Sequence, residues 1–130
     1  MDTNRKIRIG GASGFWGDSS LGAPQLVLGG DIDYLVFDYL AELTMAIMAA
    51  ARGKKPELGY ATDFVDVAMR SVLPEVARRR IRVVSNAGGI NPRSCGDALA
   101  ALVRELGLDL KIAVVEGDDV SAQIPALRAA

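Results

Sequence analysis

Four short apolar runs, KIRI at 6–9, DYLVFD at 33–38, IRVVS at 81–85 and LKIAVV at 110–115, alternate with stretches of helical character. This alternation constrains the fold more than any other feature, because strands separated by helices pair in parallel with the helices laid on the sheet. The second and fourth runs are apolar on both faces, the pattern of strands covered on both sides. Between the runs, APQLVLGG reads as a short helix stopped by Gly29 and Gly30. YLAELTMAIMAAAR is apolar nearly all round, which predicts a helix packed on two sides. Asp63 opens a helix over Phe64–Arg80, and Pro74 is expected to kink or split it near Val72. After the turn NAGGINP, Asn91 is placed to cap a helix with Pro92 at its first position. Cys95, Ala98, Leu99, Leu102, Val103 and Leu106 form its apolar stripe, and Gly107 closes it. One more helix is expected from Ser121. The order β-α-β-α-α-β-α-β predicts an α/β fold, Rossmann-like and three-layered, with a mostly parallel sheet of about four strands.

Composition excludes more than it assigns. With 15 Lys and Arg against 16 Asp and Glu, the chain lacks the basic excess of a general nucleic-acid binder. The cluster Arg78–Arg80 falls at a helix end, where cations complement the helix dipole. Histidine is absent, so neither a Ser-His-Asp triad nor a His-ligated zinc is available. The single cysteine, Cys95, rules out an internal disulfide and fits a reducing, cytoplasmic setting. It starts an apolar stripe, which reads as core, with a nucleophile near a helix N-terminus as the other reading. No apolar run reaches the roughly 20 residues of a membrane helix, so no membrane partner is expected.

The polar residues collect where the strands end. The first run leads into GGASGFWGDS, the second ends at Asp38, the third in SNAGG and the fourth in EGDD. Ligands of open parallel sheets bind outside the carboxyl ends of the strands, so these four ends point to one crevice. Each element has a plainer reading. Asp38 could cap the next helix, and Glu42, one turn later, could be a surface charge. SNAGG and Gly117–Asp119 could be simple turns, although a turn does not account for Asn86. Phe15 and Trp16 could cover a flat ligand or plug their loop against the domain.

GASGFWG has the glycine spacing of a short-chain dehydrogenase loop, and Asp38 follows about 20 residues on, where a ribose-binding acid is expected. The Tyr-x-x-x-Lys pair of that chemistry is missing, as is a G-x-x-x-x-G-K-[ST] loop.

A second likeness covers more. IRIGGASGFWGDS, GDIDYLVFDYLAELTMAIMA, GYATDFV, VVSNAGGINPRSC and VVEGDD, running in order from about Lys6 to Asp119, resemble the acyclic terpene utilisation family, AtuA. The resemblance implies a place in the breakdown of citronellol and geraniol, which proceeds through acyl-CoA thioesters, without a defined molecular activity. Family members are longer, so residues 1–130 correspond to the N-terminal portion of an α/β domain. The implied motif positions for ligand binding are Gly10, Gly11, Ser13, Gly14, Trp16, Gly17, Asp18, Asn86, Gly88, Gly89, Asn91, Gly117 and Asp119, with Pro92 alongside. Asp38, Glu42 and Asp118 are the candidates for acid–base work or Mg²⁺ coordination. The glycine loops are expected to take an anion such as CoA or a nucleotide. The competing readings are a dinucleotide-binding module without chemistry and a truncated or partner-dependent subunit. An apolar fourth strand and an apolar second helix also predict self-association, or cover from a missing C-terminal portion.

Overall fold

The computed structural model describes residues 4–130. Its core is a parallel sheet of β1 (Ile9–Ser13), β2 (Tyr34–Phe37) and β3 (Arg82–Ser85), in the order β1-β2-β3. Ile9 pairs with Tyr34 and Tyr34 with Arg82, and the ladder runs evenly until a slip between Gly11 and Ser13. The helices are α1 (Gly22–Gly29), α2 (Glu42–Lys54), α3 (Arg70–Arg79, entered through a π-helical run, Phe64–Met69), α4 (Pro92–Glu105) and α5 (Ile124–Ala129). The fold is therefore α/β, as the alternation predicts. Among the described residues no helix is long and apolar enough to cross a membrane.

Alternate residues of the strands decide which face is covered. Ala12, Leu35 and Phe37 point into the core, where Val27 of α1, Met69, Val72, Leu73 and Val76 of the third helix, and Leu102 and Val103 of α4 pack. Helix α1 lies on β1 and β2, α3 packs beside α1, and α4 packs on the π-helical run. Successive crossovers moving one way across a sheet put their helices on one side. The opposite face keeps Ile9 and Val84 more than half exposed. The described chain thus has two layers where three were expected.

Helix α1 sits unusually close to β1: a Cβ at Gly22 would lie 2.4 Å from the Ala12 carbonyl oxygen. Arg79 secures its far end by donating to the carbonyls of Leu28 and Gly30, while Arg78 and Arg79 both pair with Glu75. The arginine cluster is a structural clamp between two helices.

Four expectations need correction. Pro74 sits within α3 without splitting it, and the departure from α geometry falls upstream, at Phe64–Met69. A run of wider turns there leaves the proline only four residues into a new α-helix, where few helical bonds depend on its missing N–H. Helix α2 buries Met48 alone and leaves Leu43 and Ile47 exposed, so it is packed on one side. LKIAVV forms no strand: residues 108–120 carry no regular structure, and those from Lys111 onward are exposed. A strand exists only through its partner, and nothing in the run itself supplies the pairing. Asp38 does not cap α2, whose Ncap is Ala41; Thr44 Oγ1 accepts the Ala41 N–H at 2.6 Å. Helix α4 follows the sequence closely. Asn91 caps it through the Ser94 N–H, Pro92 opens it, and Gly107 (φ 66°) closes it, with the Leu108 N–H donating to Val103.

Candidate functional site

The carboxyl ends of β1 and β2 frame a small polar cavity of about 30 Å³. Ser13 ends β1, Tyr39 follows β2, Asp18 and Ser19 come from the β1–α1 loop, and Asp63, Val67 and Ala68 come from the start of the third helix. Space of this size admits one water molecule or one ligand heavy atom, provided polar partners line it. They do, and one has capacity to spare: Ser13 Oγ is buried to less than 1 Å² and makes no well-formed hydrogen bond, its interaction with the nearby Tyr39 phenol being a loose one. A buried hydroxyl left unpaired costs about 1–3 kcal/mol, so its presence needs an explanation.

The β1–α1 loop is shaped by Asp18. Its carboxylate accepts the Gly14 N–H at 3.0 Å and the Ser19 N–H at 2.7 Å, and these bonds hold its pKa below the usual carboxylate range. Two of the amides expected to cradle a phosphate are thus already donated to an anion of the chain itself. Trp16 is tied to two lining residues, its indole N–H donating to Asp63 Oδ1 at 2.6 Å and its backbone N–H to the Tyr39 carbonyl at 3.2 Å. Burial pushes the Tyr39 phenol up to about 12, and the negative charges of Asp63 and Asp18 add to the shift, while a hydrogen-bonding interaction with the Ser13 hydroxyl opposes it. The phenol stays protonated at neutral pH and remains a hydrogen-bond donor beside two carboxylates. Its ring packs with Phe37 and Phe64, at centroid distances of 5.8 and 6.1 Å, which ties β2 to the π-helical run.

A hydrogen-bond chain carries the edge from β1 to β3. The Asp38 N–H donates to the Ser13 carbonyl at 3.3 Å, Asn86 Nδ2 donates to Asp38 Oδ1 at 2.8 Å, and Asn86 Oδ1 accepts the Tyr39 N–H at 2.7 Å. Ser13, Asp38 and Asn86 therefore meet, as three strand ends were expected to. Gly10 and Gly11 lie within β1. A Cβ at Gly10 would meet Leu26 of α1, whereas Gly11 and Gly14 border open space and Gly17 turns the loop at φ 100°.

The residues after β3 serve the fold. Asn91 is buried and donates to the carbonyls of Pro56 and Leu58 at 3.0 and 2.9 Å, pinning the loop that follows α2. Gly89 (φ 54°) is where α2 touches the turn, since a Cβ there would lie 2.2 Å from Met48 Sδ. Gly88 packs on Pro92 in the same way. Glu42 stands exposed on the first turn of α2. Gly117, Asp118 and Asp119 follow the unformed fourth strand and are exposed, so Asp118 does not join Asp38. Asp119 is bound by the Ser121 hydroxyl and N–H and lies 4.0 Å from Arg52, while Arg93 pairs with Glu116 at 2.6 Å. Cys95 is buried, and burial pushes its thiol up to about 11, which makes it a core residue and no nucleophile. Among the described residues no three Cys, Asp or Glu side chains gather closely enough to hold a metal ion.

Tyr39 and Asp63 were not singled out from sequence as site residues. Asp63 read as a helix opener, and Tyr39 as the first residue of an apolar helix. Both nonetheless lie within the motif runs, in VFDY and GYATDFV.

A larger recess of about 300 Å³ lies at the other end of the sheet, among Arg5, Ile7, Asp33, Tyr34, Arg80 and Arg82. Arg5 pairs with Asp33 there at 3.0 Å, and Arg82 donates to the Tyr34 hydroxyl at 2.8 Å. The recess is at the amino edge, away from the strand ends where parallel sheets bind ligands.

No curated protein and no solved structure matches the chain. The family model described as "Acyclic terpene utilisation family protein AtuA" matches residues 7–130, which include every element of the carboxyl edge, and the chain belongs to that family.

Proposed function

We propose that the chain takes part in acyclic terpene catabolism by binding a pathway intermediate at the carboxyl edge of β1 and β2, with the cavity there receiving one polar group of that intermediate. The observation that carries this reading is the buried Ser13 hydroxyl, without a well-formed hydrogen bond in a cavity that also holds the Tyr39 phenol and two carboxylates. Family membership supplies the metabolic setting. An acyl-CoA thioester is the leading ligand, with a nucleotide second. Its phosphates would lie away from Asp18 and Asp63, because two facing carboxylates repel an anion, and would draw Arg52 and Arg93, near the start of α4, from their carboxylate partners Asp119 and Glu116. Asp38, held by Asn86, is the acid nearest the strand ends for proton transfer.

Isothermal titration calorimetry with CoA, a branched acyl-CoA, NAD and a nucleoside triphosphate tests this. The acyl-CoA should bind, and Ser13→Ala and Arg93→Ala should each weaken it several-fold while unfolding remains cooperative. Binding of NAD alone would instead favour a dinucleotide module. Silence from all four would sink the reading.

A further inference from the structure

Among the described residues, the edge of β3 that faces away from β2 is unpaired. The Arg82 N–H donates to Asp33, on the β2 side. In a parallel strand successive residues alternate in the direction of their bonds, so Val83 and Ser85 present their N–H and C=O groups to the open side. Such an edge is a template for another strand.

The segment after α4 already follows the path of that strand. The chain leaves α4 at Gly107, and by Glu116 it has returned to the beginning of the helix, where Glu116 pairs with Arg93. Two residues before Glu116, Val114 passes so close to α4 that a Cβ at Gly96 would lie 2.7 Å from its Cγ2. Leu110–Val115 therefore runs antiparallel to α4 and so in the same direction as β3. Helix α1 packs beside α3, and α4 packs on the π-helical run; a right-handed crossover from β3 through α4 carries the chain to a place beyond β3. The two residues between Gly107 and Leu110 are an ordinary length for a helix-to-strand connection. The segment's own apolar side chains, Ile112, Val114 and Val115, are exposed.

We infer that Leu110–Val115 is a strap that closes on the open edge of β3 as a parallel fourth strand, the described conformation being its unzipped form. Closing pairs Val83 and Ser85 and brings Asp118 to the carboxyl edge beside Asn86. The ion pairs Arg93–Glu116 and Arg52–Asp119 tether the end of the strap near that edge while it is open. This inference concerns the fold alone and stands whether or not the edge binds an acyl-CoA.

Amide hydrogen exchange on the 130-residue chain, read by NMR residue by residue, tests it against Ala113→Pro, which removes an N–H from the strap and no buried side chain. The expected result is exchange at Val83 and Ser85 at least tenfold slower in the wild type than in the variant. Unchanged protection at Leu35 and Phe37 will show that the variant still folds. Equal rates at Val83 and Ser85 in the two proteins would overturn the strap. Protection that grows with protein concentration would also overturn it, since the edge would then be pairing with a second copy.

Discussion

The loop after β1 folds around a carboxylate, whereas the loop after β3 folds around a side-chain amide. Both are rich in glycine, both leave the carboxyl edge, and both precede a helix. In the first, Asp18 gathers two backbone N–H groups, and the closing leaves a hydroxyl, a phenol and two acids facing a cavity. In the second, Asn91 spends its carbonyl on the helix cap and its amide on two carbonyls of a neighbouring loop. The β3–α4 turn is a fastener with its polar atoms consumed, and the β1–α1 loop is a frame with capacity left over. Spare hydrogen-bonding capacity separates a place for a ligand from a place that holds the chain together.

The largest effect should come from filling the fastener. Gly89→Ala places a methyl group against Met48 and the Gly59 carbonyl, at a residue with positive φ. Overpacking and left-handed strain together should cost about 3 kcal/mol in urea unfolding. A loss below about 1 kcal/mol would mean that α2 is not seated on this turn.

An intermediate effect separates the two ends electrostatically. The Tyr39 phenol is raised to about 12 by burial with the charges of Asp63 and Asp18, whereas the Cys95 thiol is raised to about 11 by burial alone. Asp63→Asn should therefore lower the Tyr39 midpoint toward 10 while leaving the thiol where it is, read from phenolate and thiolate absorbance. The sign for stability follows. A raised folded-state pKa favours the fold fully below the unfolded value of about 10, and that contribution is lost as pH climbs through about 12. A thiol that moved together with the phenol would show that the two ends are not independent.

The smallest effect belongs to the frame. A Cβ at Gly14 meets nothing within 4 Å, so Gly14→Ala should change stability by less than about 0.5 kcal/mol. If it weakens acyl-CoA in calorimetry all the same, the loop's open side faces the ligand. A destabilisation as large as that of Gly89→Ala would erase the contrast between the loops.

Much of this architecture is written locally and so could be read from sequence. β2, α1 and the whole of α4, with Asn91, Pro92 and Gly107 at its ends, depend on periodicity and caps that neighbouring residues define. The missing fourth strand is of another kind: LKIAVV has the composition of a strand, but pairing is a property of two segments, and β3 is far from it in sequence. The π-helical run has no residue that marks it in the sequence, whereas Pro74 marks a different turn of the same helix. At the site, Asp38 and Asn86 were legible as strand-end polar residues. Their mutual hydrogen bond follows from the parallel register that sets Phe37 beside Ser85. Asp63 was not legible as a site residue, because an aspartate before a helix is ordinarily a cap; only the fold shows its carboxylate turned to Trp16 instead.

Trp16 is the only tryptophan in the chain. Its indole is bonded to Asp63, which lines the cavity, and its backbone to the residue that follows Asp38. All indole emission from this protein thus arises at one point of the carboxyl edge, next to a carboxylate. Fluorescence here is a site-specific signal without labelling: a change in its colour or intensity reports on the lining of the cavity rather than on the molecule at large.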